Sequence, residues 1–211
     1  MSLTRLTSAL AAGVLAAVTL VAAPPAGAAP HGQRSLATVL AADGNHLDRN
    51  WQDFDILDKA VHRVLAARPD SPVAVLADGS MRLTAFLPTD LAFRRLVTDL
   101  TGKPRHTERG VLRALNGLVD AKTLESVLLY HVVPGSTITY RQAQRANGAT
   151  LTTALSGGKL RVQVTHEQQV FLRDADTNDR NARVLRALRN VNQGNRQIAH
   201  GINRVLRPMD L

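Results

Sequence analysis

The sequence predicts an α+β domain, and three observations support this class. Apolar residues follow a helical period mainly in the first half of the chain, and β-rich segments follow in the second half. The composition, 45% hydrophobic and 20% charged over 211 residues, is typical of a globular protein and excludes a disordered or collagen-like chain. Because helices come mainly before strands, the order favours α+β over the alternation of a parallel sheet.

The N-terminal 28 residues have the pattern of a secretory signal peptide. Arg5 provides a positive start, an uncharged apolar run follows, and small residues precede a predicted cleavage after Ala28. We therefore expect a secreted protein with no transmembrane segment after removal of the signal. Residues 29–52 are polar and weakly patterned, and the pattern leaves open whether they form a tail or an N-terminal helix.

From residue 53 to residue 211 we expect a single domain. Its first helix is expected to end at Pro69 and Pro72, because proline interrupts the backbone hydrogen bonds of a helix. Thr89 or Asp90 provides an N-cap for the second helix. The predicted helices have apolar stripes at residues 56–65, 93–100, 111–118 and 124–130.

The strands are predicted from runs of β-branched residues and from alternation. Residues 73–76 and 82–87 indicate two short strands joined by a turn at Asp78 and Gly79. A helical insertion is predicted at residues 184–191. The later strands are expected at residues 137–139, 150–155, 160–164, 169–172 and 198–202.

The charge indicates a polyanionic partner. The formal net charge is +9, from 26 basic and 17 acidic residues. The basic residues are spread along the chain and aromatic residues are only 3%, whereas nucleic-acid sites usually combine clustered basic residues with stacking platforms. We therefore expect an anionic polymer of the cell surface or envelope as partner, and no nucleic acid.

No pattern for catalysis, a cofactor or a metal ion is found in the sequence. The absence of cysteine excludes disulfides, thiol nucleophiles and Cys-based zinc sites. The seven histidines include no chelating pair at helical spacing, and no nucleophile elbow or phosphate loop occurs. Residues 174–178 open like an EF-hand loop, but Asp179 and Leu185 stand where that loop needs glycine and glutamate. A polar turn is the preferred interpretation there, and a looser calcium site is the alternative.

Three segments resemble the signature segments of fasciclin-type domains. Residues 84–93 read TAFLPTDLAF, residues 128–135 read LLYHVVPG and residues 197–208 read QIAHGINRVLRP, in the family's order. The resemblance implies an α+β fold, a β-sandwich-like wedge with helices packed along one side. It also implies a secreted or cell-surface protein linked to adhesion rather than to catalysis.

The resemblance further implies a partner contact at Tyr130 and His131, which match a Tyr-His pair associated with receptor contacts in some members. A structural role for a buried, hydrogen-bonded histidine is the alternative. Residues 174–196 form an insertion, longer and more polar than usual, without the Asp-Ile segment of those members. Asp55 and Ile56 have those letters but open the first helix, so integrin-type binding is not supported.

These observations predict a secreted, non-enzymatic fasciclin-like module, of bacterial source, that mediates adhesion to a cell surface, matrix or envelope. The alternative is an extracellular binding module for a small apolar ligand such as a lipid. A large apolar cavity near Phe86, Phe93 and Val132 would favour that alternative.

Overall fold

The structure is a computed structural model that describes residues 32–44 and 46–209. The predicted signal peptide, residues 1–28, lies outside the described residues and stays a prediction. In the described part of the chain, no helix combines the length and apolar character needed to cross a bilayer.

Six α-helices and seven strands form the described domain. The helices are α1 (Leu36–Leu40), α2 (Asp55–Ala67), α3 (Asp90–Thr101), α4 (Glu108–Leu118), α5 (Ala121–Tyr130) and α6 (Tyr140–Gln144). The strands are β1 (Leu83–Pro88), β2 (Val132–Pro134), β3 (Thr150–Thr152), β4 (Lys159–Val164), β5 (Val170–Arg173), β6 (Ala182–Arg183) and β7 (Gln197–Ile202).

The strands form two sheets. A mixed three-stranded sheet has the order β2-β1-β7, in which β1 is antiparallel to β2 and parallel to β7. A four-stranded antiparallel sheet has the order β3-β4-β5-β6. The helices and mixed sheets confirm the predicted α+β class.

The three-stranded sheet is a middle layer with a hydrophobic core on each face. On one face Leu83, Ala85 and Leu87 of β1 pack into the core that α1 to α5 line. On the other face Phe86 packs into a second core, to which the four-stranded sheet, α6 and the C-terminal segment contribute side chains. All residues of β1 and β7 are buried for this reason.

The starts of α3 and α5 follow the capping rules. The Thr89 hydroxyl accepts a hydrogen bond from the Ala92 N–H at 3.4 Å, so Thr89 is the N-cap of α3 and Asp90 its first residue. Asp120 caps α5 by accepting from the Thr123 N–H at 2.7 Å. The start of the second predicted helix is therefore confirmed.

The strand predicted at residues 73–76 is wrong. Residues Pro72–Ala77 form a 3-10 helix, in which Val73 and Leu76 are buried. The Ser71 hydroxyl accepts from the Val73 N–H, and Pro72 has the backbone angle that the first helical position needs. A short apolar run alone does not distinguish a strand from a helical turn.

The helix predicted at residues 184–191 is also wrong. Only Arg186–Leu188 is helical, as a 3-10 turn, and the valines on either side pair with β7 through the bridges Val184↔Ile202 and Val191↔Ala199. The insertion therefore runs beside β7. Leu188 packs so closely on Gly201 that a Cβ atom there would lie 2.5 Å from the Leu188 Cβ.

The described N-terminal residues 32–44 pack against the rest of the domain. Leu36 and Leu40 of α1 are buried in the helix-side core. The Leu36 N–H donates to the Gln197 side-chain oxygen at 2.8 Å, and Gly79 lies so close to the Gln33 carbonyl that no side chain fits there. Of the two open possibilities, the helix is therefore correct.

Candidate functional site

The predicted contact pair, Tyr130 and His131, lies at the end of α5. The exposed fractions of these residues are 1% and 3%. The Tyr130 hydroxyl donates to the Lys159 carbonyl at 2.7 Å. The His131 Nδ1–H donates to the Val127 carbonyl at 2.7 Å, and Nε2 accepts from the Leu206 N–H at 2.9 Å. The pair thus joins α5 to β4 and to the C-terminal segment.

Burial sets the protonation of both side chains. It lowers the pKa of His131 to about 4. It also raises the pKa of Tyr130 to about 12, with a smaller contribution from the Asp174 carboxylate. Both groups are therefore neutral at pH 7. A direct contact with a partner would require this segment to open, and the predicted contact stays a prediction.

An apolar groove of about 610 Å³ lies between α3, α4, α5 and the C-terminal segment. Leu118 and Met209, exposed by 42% and 54%, are among the residues that line it. Of the three residues proposed from the sequence, Phe93 lines this groove. Phe86 and Val132 instead pack into the two cores, so the cavity that would favour a small apolar ligand is present at Phe93 alone of these three residues.

A second groove, of about 630 Å³, is polar and lined by arginines. We call it the arginine groove. It is open to solvent, and Arg180 and Arg183 are exposed, whereas Arg95 and Arg204 are partly buried. Its lining residues are Arg95, Arg180, Arg183, Arg204, Asp179, Gln163, Thr165, Phe171, Asn181 and Asn203.

The positive charges of the arginine groove act on one another. Burial lowers the pKa of Arg95, and the charges of Arg204 and Arg183 lower it further. Arg204 is balanced by ion pairs to Asp179 at 2.9 Å and Asp99 at 3.2 Å. In the described part of the chain no carboxylate pairs with the side chains of Arg180 and Arg183. These two guanidinium groups can therefore bind phosphate, sulfate or carboxylate groups.

Sequence reasoning did not identify the arginine groove, because its residues come from distant parts of the chain. Arg95 lies on α3, Arg204 follows β7, and Arg180 and Arg183 belong to the insertion. The density of arginine within the insertion was the available signal.

The EF-hand-like segment is a bend fixed by its own side chains. The Asp176 Oδ1 atom accepts from the backbone N–H groups of Asn178 and Asp179 at 3.1 and 3.2 Å. Its Oδ2 atom is 3.0 Å from Nη1 of Arg207. These contacts agree with a polar turn. Carboxylates that could hold a cation lie elsewhere, in two overlapping groups near the start of α2.

Comparison with known proteins gives one family. The family model of the fasciclin domain matches residues 64–208, which include all three signature segments. Among solved structures, a FAS1 domain pair from the insect cell adhesion molecule Fasciclin I is similar at 20% identity and a TM-score of 0.46, over 70% of this chain and 44% of that one. No curated protein sequence is significantly similar to this chain.

The family match confirms the predicted resemblance and the FAS1 fold. Domains of this family are typically extracellular or secreted adhesion modules and typically non-enzymatic. Because the match covers more than half of the sequence, the chain belongs to the fasciclin family.

Proposed function

We propose that this protein is a secreted, non-enzymatic adhesion module that binds an anionic polymer of a cell surface or envelope through the arginine groove. The observation that carries the proposal is the composition of the groove, in which four arginines accompany a single carboxylate, Asp179. The resulting excess of positive charge lies in an open concavity that an extended polymer can enter.

Two further properties support an anionic polymer as the partner. The exposed Arg180 and Arg183 present planar guanidinium groups, which form paired hydrogen bonds with phosphate, sulfate and carboxylate oxygens. The net charge of +9 adds a long-range attraction for the same class of partner. A polymer with repeated anionic groups can engage several arginines at once, which single anions cannot do.

The test is binding of the purified protein to dextran sulfate, with uncharged dextran of the same length as the ligand control. We expect binding to dextran sulfate that weakens as salt increases, because screening shortens the range of the interaction. Replacing Arg180 and Arg183 together by glutamine should weaken binding about tenfold, which corresponds to ~1.4 kcal/mol.

The matched control is the replacement of Arg109 and Arg113 by glutamine. Both residues are exposed on α4, and the change removes the same net charge outside the groove. Equal loss of affinity in the two double variants would mean that net charge alone drives binding. Binding that persists at high salt would contradict the electrostatic mechanism.

A small apolar ligand is the second candidate, and the apolar groove supports it. Leu118 and Met209 are large apolar side chains that remain substantially exposed beside a concave surface, as in a ligand-binding groove. A fluorescent fatty acid that binds the protein when dextran sulfate does not would favour this candidate over the first.

A further inference from the structure

Three helices begin close to one another, and each begins with an acidic residue. These residues are Asp55 of α2, Asp90 of α3 and Glu108 of α4. The Asp90 Oδ1 atom accepts from the Ile56 N–H at 3.0 Å, which fixes the start of α3 against the start of α2. The Asp90 N–H donates to the Asp53 carbonyl at 3.1 Å, which also holds the loop before α2 against the start of α3.

The carboxylates of this region form two overlapping groups, which we call the acidic cluster. Carboxylate oxygens of Asp53, Asp90 and Glu108 all lie within 4.8 Å of one another. The same is true of Asp48, Asp53 and Asp55. Asp53 belongs to both groups, so the five carboxylates form one connected cluster. At such distances ionised carboxylates repel one another strongly unless a positive charge lies between them.

Two members of the acidic cluster are completely buried and incompletely paired. Glu108 and Asp90 are both 0% exposed. Among the described residues, neither Glu108 carboxylate oxygen has a hydrogen-bond partner of ordinary geometry, and the Asp48 backbone provides only a weak interaction. The Asp90 Oδ2 atom also has no partner there. Buried carboxylate oxygens without partners are unfavourable, and these belong to the group whose oxygens converge.

Burial and the neighbouring carboxylates both raise the pKa values of this buried pair. Burial raises the pKa of Asp90 to about 8, and the Asp53, Glu108 and Asp55 carboxylates add to the increase. Burial also raises the pKa of Glu108 to about 7, again with contributions from neighbouring carboxylates.

We propose that the acidic cluster binds a divalent cation of the calcium type through Asp48, Asp53, Asp55, Asp90 and Glu108. All of these side-chain donors are oxygens, which hard cations prefer. Calcium accepts six to eight oxygens in flexible geometry, whereas magnesium requires a near-ideal octahedron and retains water. A cluster of five carboxylates from four chain segments suits the more flexible ion.

The position of the cluster gives the ion a route from solvent. Asp48 is exposed and Asp53 is partly exposed, whereas Asp55, Asp90 and Glu108 lie beneath them. The proposal does not depend on the arginine groove, which has other residues. Metal binding was not expected from the sequence, because acidic residues in the first turn are also what the helix dipole favours.

The test combines thermal unfolding with terbium luminescence of the purified protein. Trp51 is the only tryptophan, and its carbonyl accepts from the Leu91 N–H, so it lies in the loop that contributes to the cluster. We expect Tm to rise with calcium chloride up to millimolar concentrations, the range of extracellular calcium modules. We also expect terbium emission sensitised by Trp51 and displaced by calcium.

Glu108→Gln should remove most of both responses, weakening calcium binding by about tenfold or more. Asp70→Asn, which changes an exposed carboxylate outside the cluster, should leave both responses as in the wild type. If Glu108→Gln does not fold, Asp90→Asn replaces it as the cluster variant that is compared with the wild type. This substitution keeps an amide oxygen that can still accept from the Ile56 N–H, so the start of α3 stays bonded to α2.

Three results would overturn the proposal. The first is a wild-type protein whose Tm and terbium emission do not respond to calcium. The second is an equal calcium response in the wild type and in the cluster variant. An equal rise of Tm with magnesium would overturn the assignment to calcium.

Discussion

His131 is held in one tautomer by two backbone groups. Its Nδ1–H donates to the Val127 carbonyl, and its Nε2 atom must be unprotonated to accept from the Leu206 N–H. Adding a proton at Nε2 would bring two donors face to face inside the core. The folded protein therefore requires the neutral imidazole, and burial accordingly lowers the pKa to about 4 from the ordinary 6.5.

A pH dependence of stability follows from His131. Because the folded pKa is lower than the unfolded pKa, this contribution is fully present above pH 6.5 and is lost as the pH falls toward 4. The loss should approach about 3 kcal/mol. Urea unfolding at about pH 7 and about pH 4.5 should show a larger decrease for the wild type than for His131→Gln.

The comparison of two proteins isolates His131 from other titrating groups. Asp90, Glu108 and Asp174 have raised pKa values, so their contributions favour the folded state at low pH and decline as the pH rises. These groups are present in both proteins, and their effects cancel in the difference. The same change of stability with pH in both proteins would contradict the assignment to His131.

Single residues were partly predictable. The Tyr-His pair was found from the sequence, and the alternative of a buried, hydrogen-bonded histidine was also stated. The partners of His131 were not predictable, because Leu206 is brought to it by the three-dimensional fold. Asp90 was predicted as a helix start, but its proximity to Glu108 depends on the packing of α3 against α4.

At the scale of elements, Gln197 of β7 holds two other segments in place. These are α1 and the 3-10 helix Pro72–Ala77. Its side chain is fully buried. The Oε1 atom accepts from the Leu36 N–H, and Nε2 donates to the carbonyls of Val75 at 2.8 Å and Asp78 at 2.7 Å. One amide therefore satisfies three backbone groups from two neighbouring segments.

We expect Gln197→Met to lower the free energy of unfolding by roughly 3 kcal/mol, since buried polar groups left without partners cost about 1–3 kcal/mol each. Limited proteolysis should also cut faster within residues 32–44, because α1 loses an anchor to β7. Gln193→Met, at an exposed position, is the matched control and should have little effect. Unchanged stability in the Gln197 variant would contradict this role.

The elements that could be predicted were those whose apolar residues recur with a clear helical period. Helices α2 to α5 bury one apolar stripe each, and their sequences have the corresponding spacing. Short segments were not predictable, because tertiary pairing decides their structure. Val184 and Val191 have helical spacing, yet Val191 exchanges backbone hydrogen bonds with Ala199 of β7, and the Val184 N–H donates to the Val170 carbonyl of β5. The arginine groove was missed for the same reason, since it forms only when the insertion lies beside β7 and α3.

At the scale of the whole molecule, Arg207 links three distant parts of the chain. Its guanidinium pairs with Asp176 of the insertion at 3.0 Å and with Asp99 of α3 at 3.2 Å. Its backbone N–H donates to the Asp174 carboxylate at 2.8 Å. The Arg207 side chain is 6% exposed and that of Asp176 is fully buried. The C-terminal segment is therefore fixed by an ion-pair network inside the protein.

Arg207→Met should destabilise the protein by about 3–5 kcal/mol, because it leaves the buried Asp176 carboxylate without its counter-charge. Adding Asp176→Asn should recover much of that loss, since it removes the unpaired charge while the amide oxygen can still accept from the Asn178 and Asp179 N–H groups. Arg49→Met, an exposed control, should change stability by less than about 0.5 kcal/mol. Unfolding in urea measures all three, and a double variant no more stable than Arg207→Met would contradict this account.

Parallel pairing of β1 with β7 has a consequence for the order of folding. The central sheet needs a strand from the end of the domain, and the contact of Leu36 with Gln197 spans 161 residues. Closing so long a loop loses chain entropy before any packing compensates, and chains rich in such contacts fold slowly. During synthesis the helices can form early, but the middle layer cannot be completed until β7 has emerged. The C-terminal residues therefore control when the whole domain becomes native.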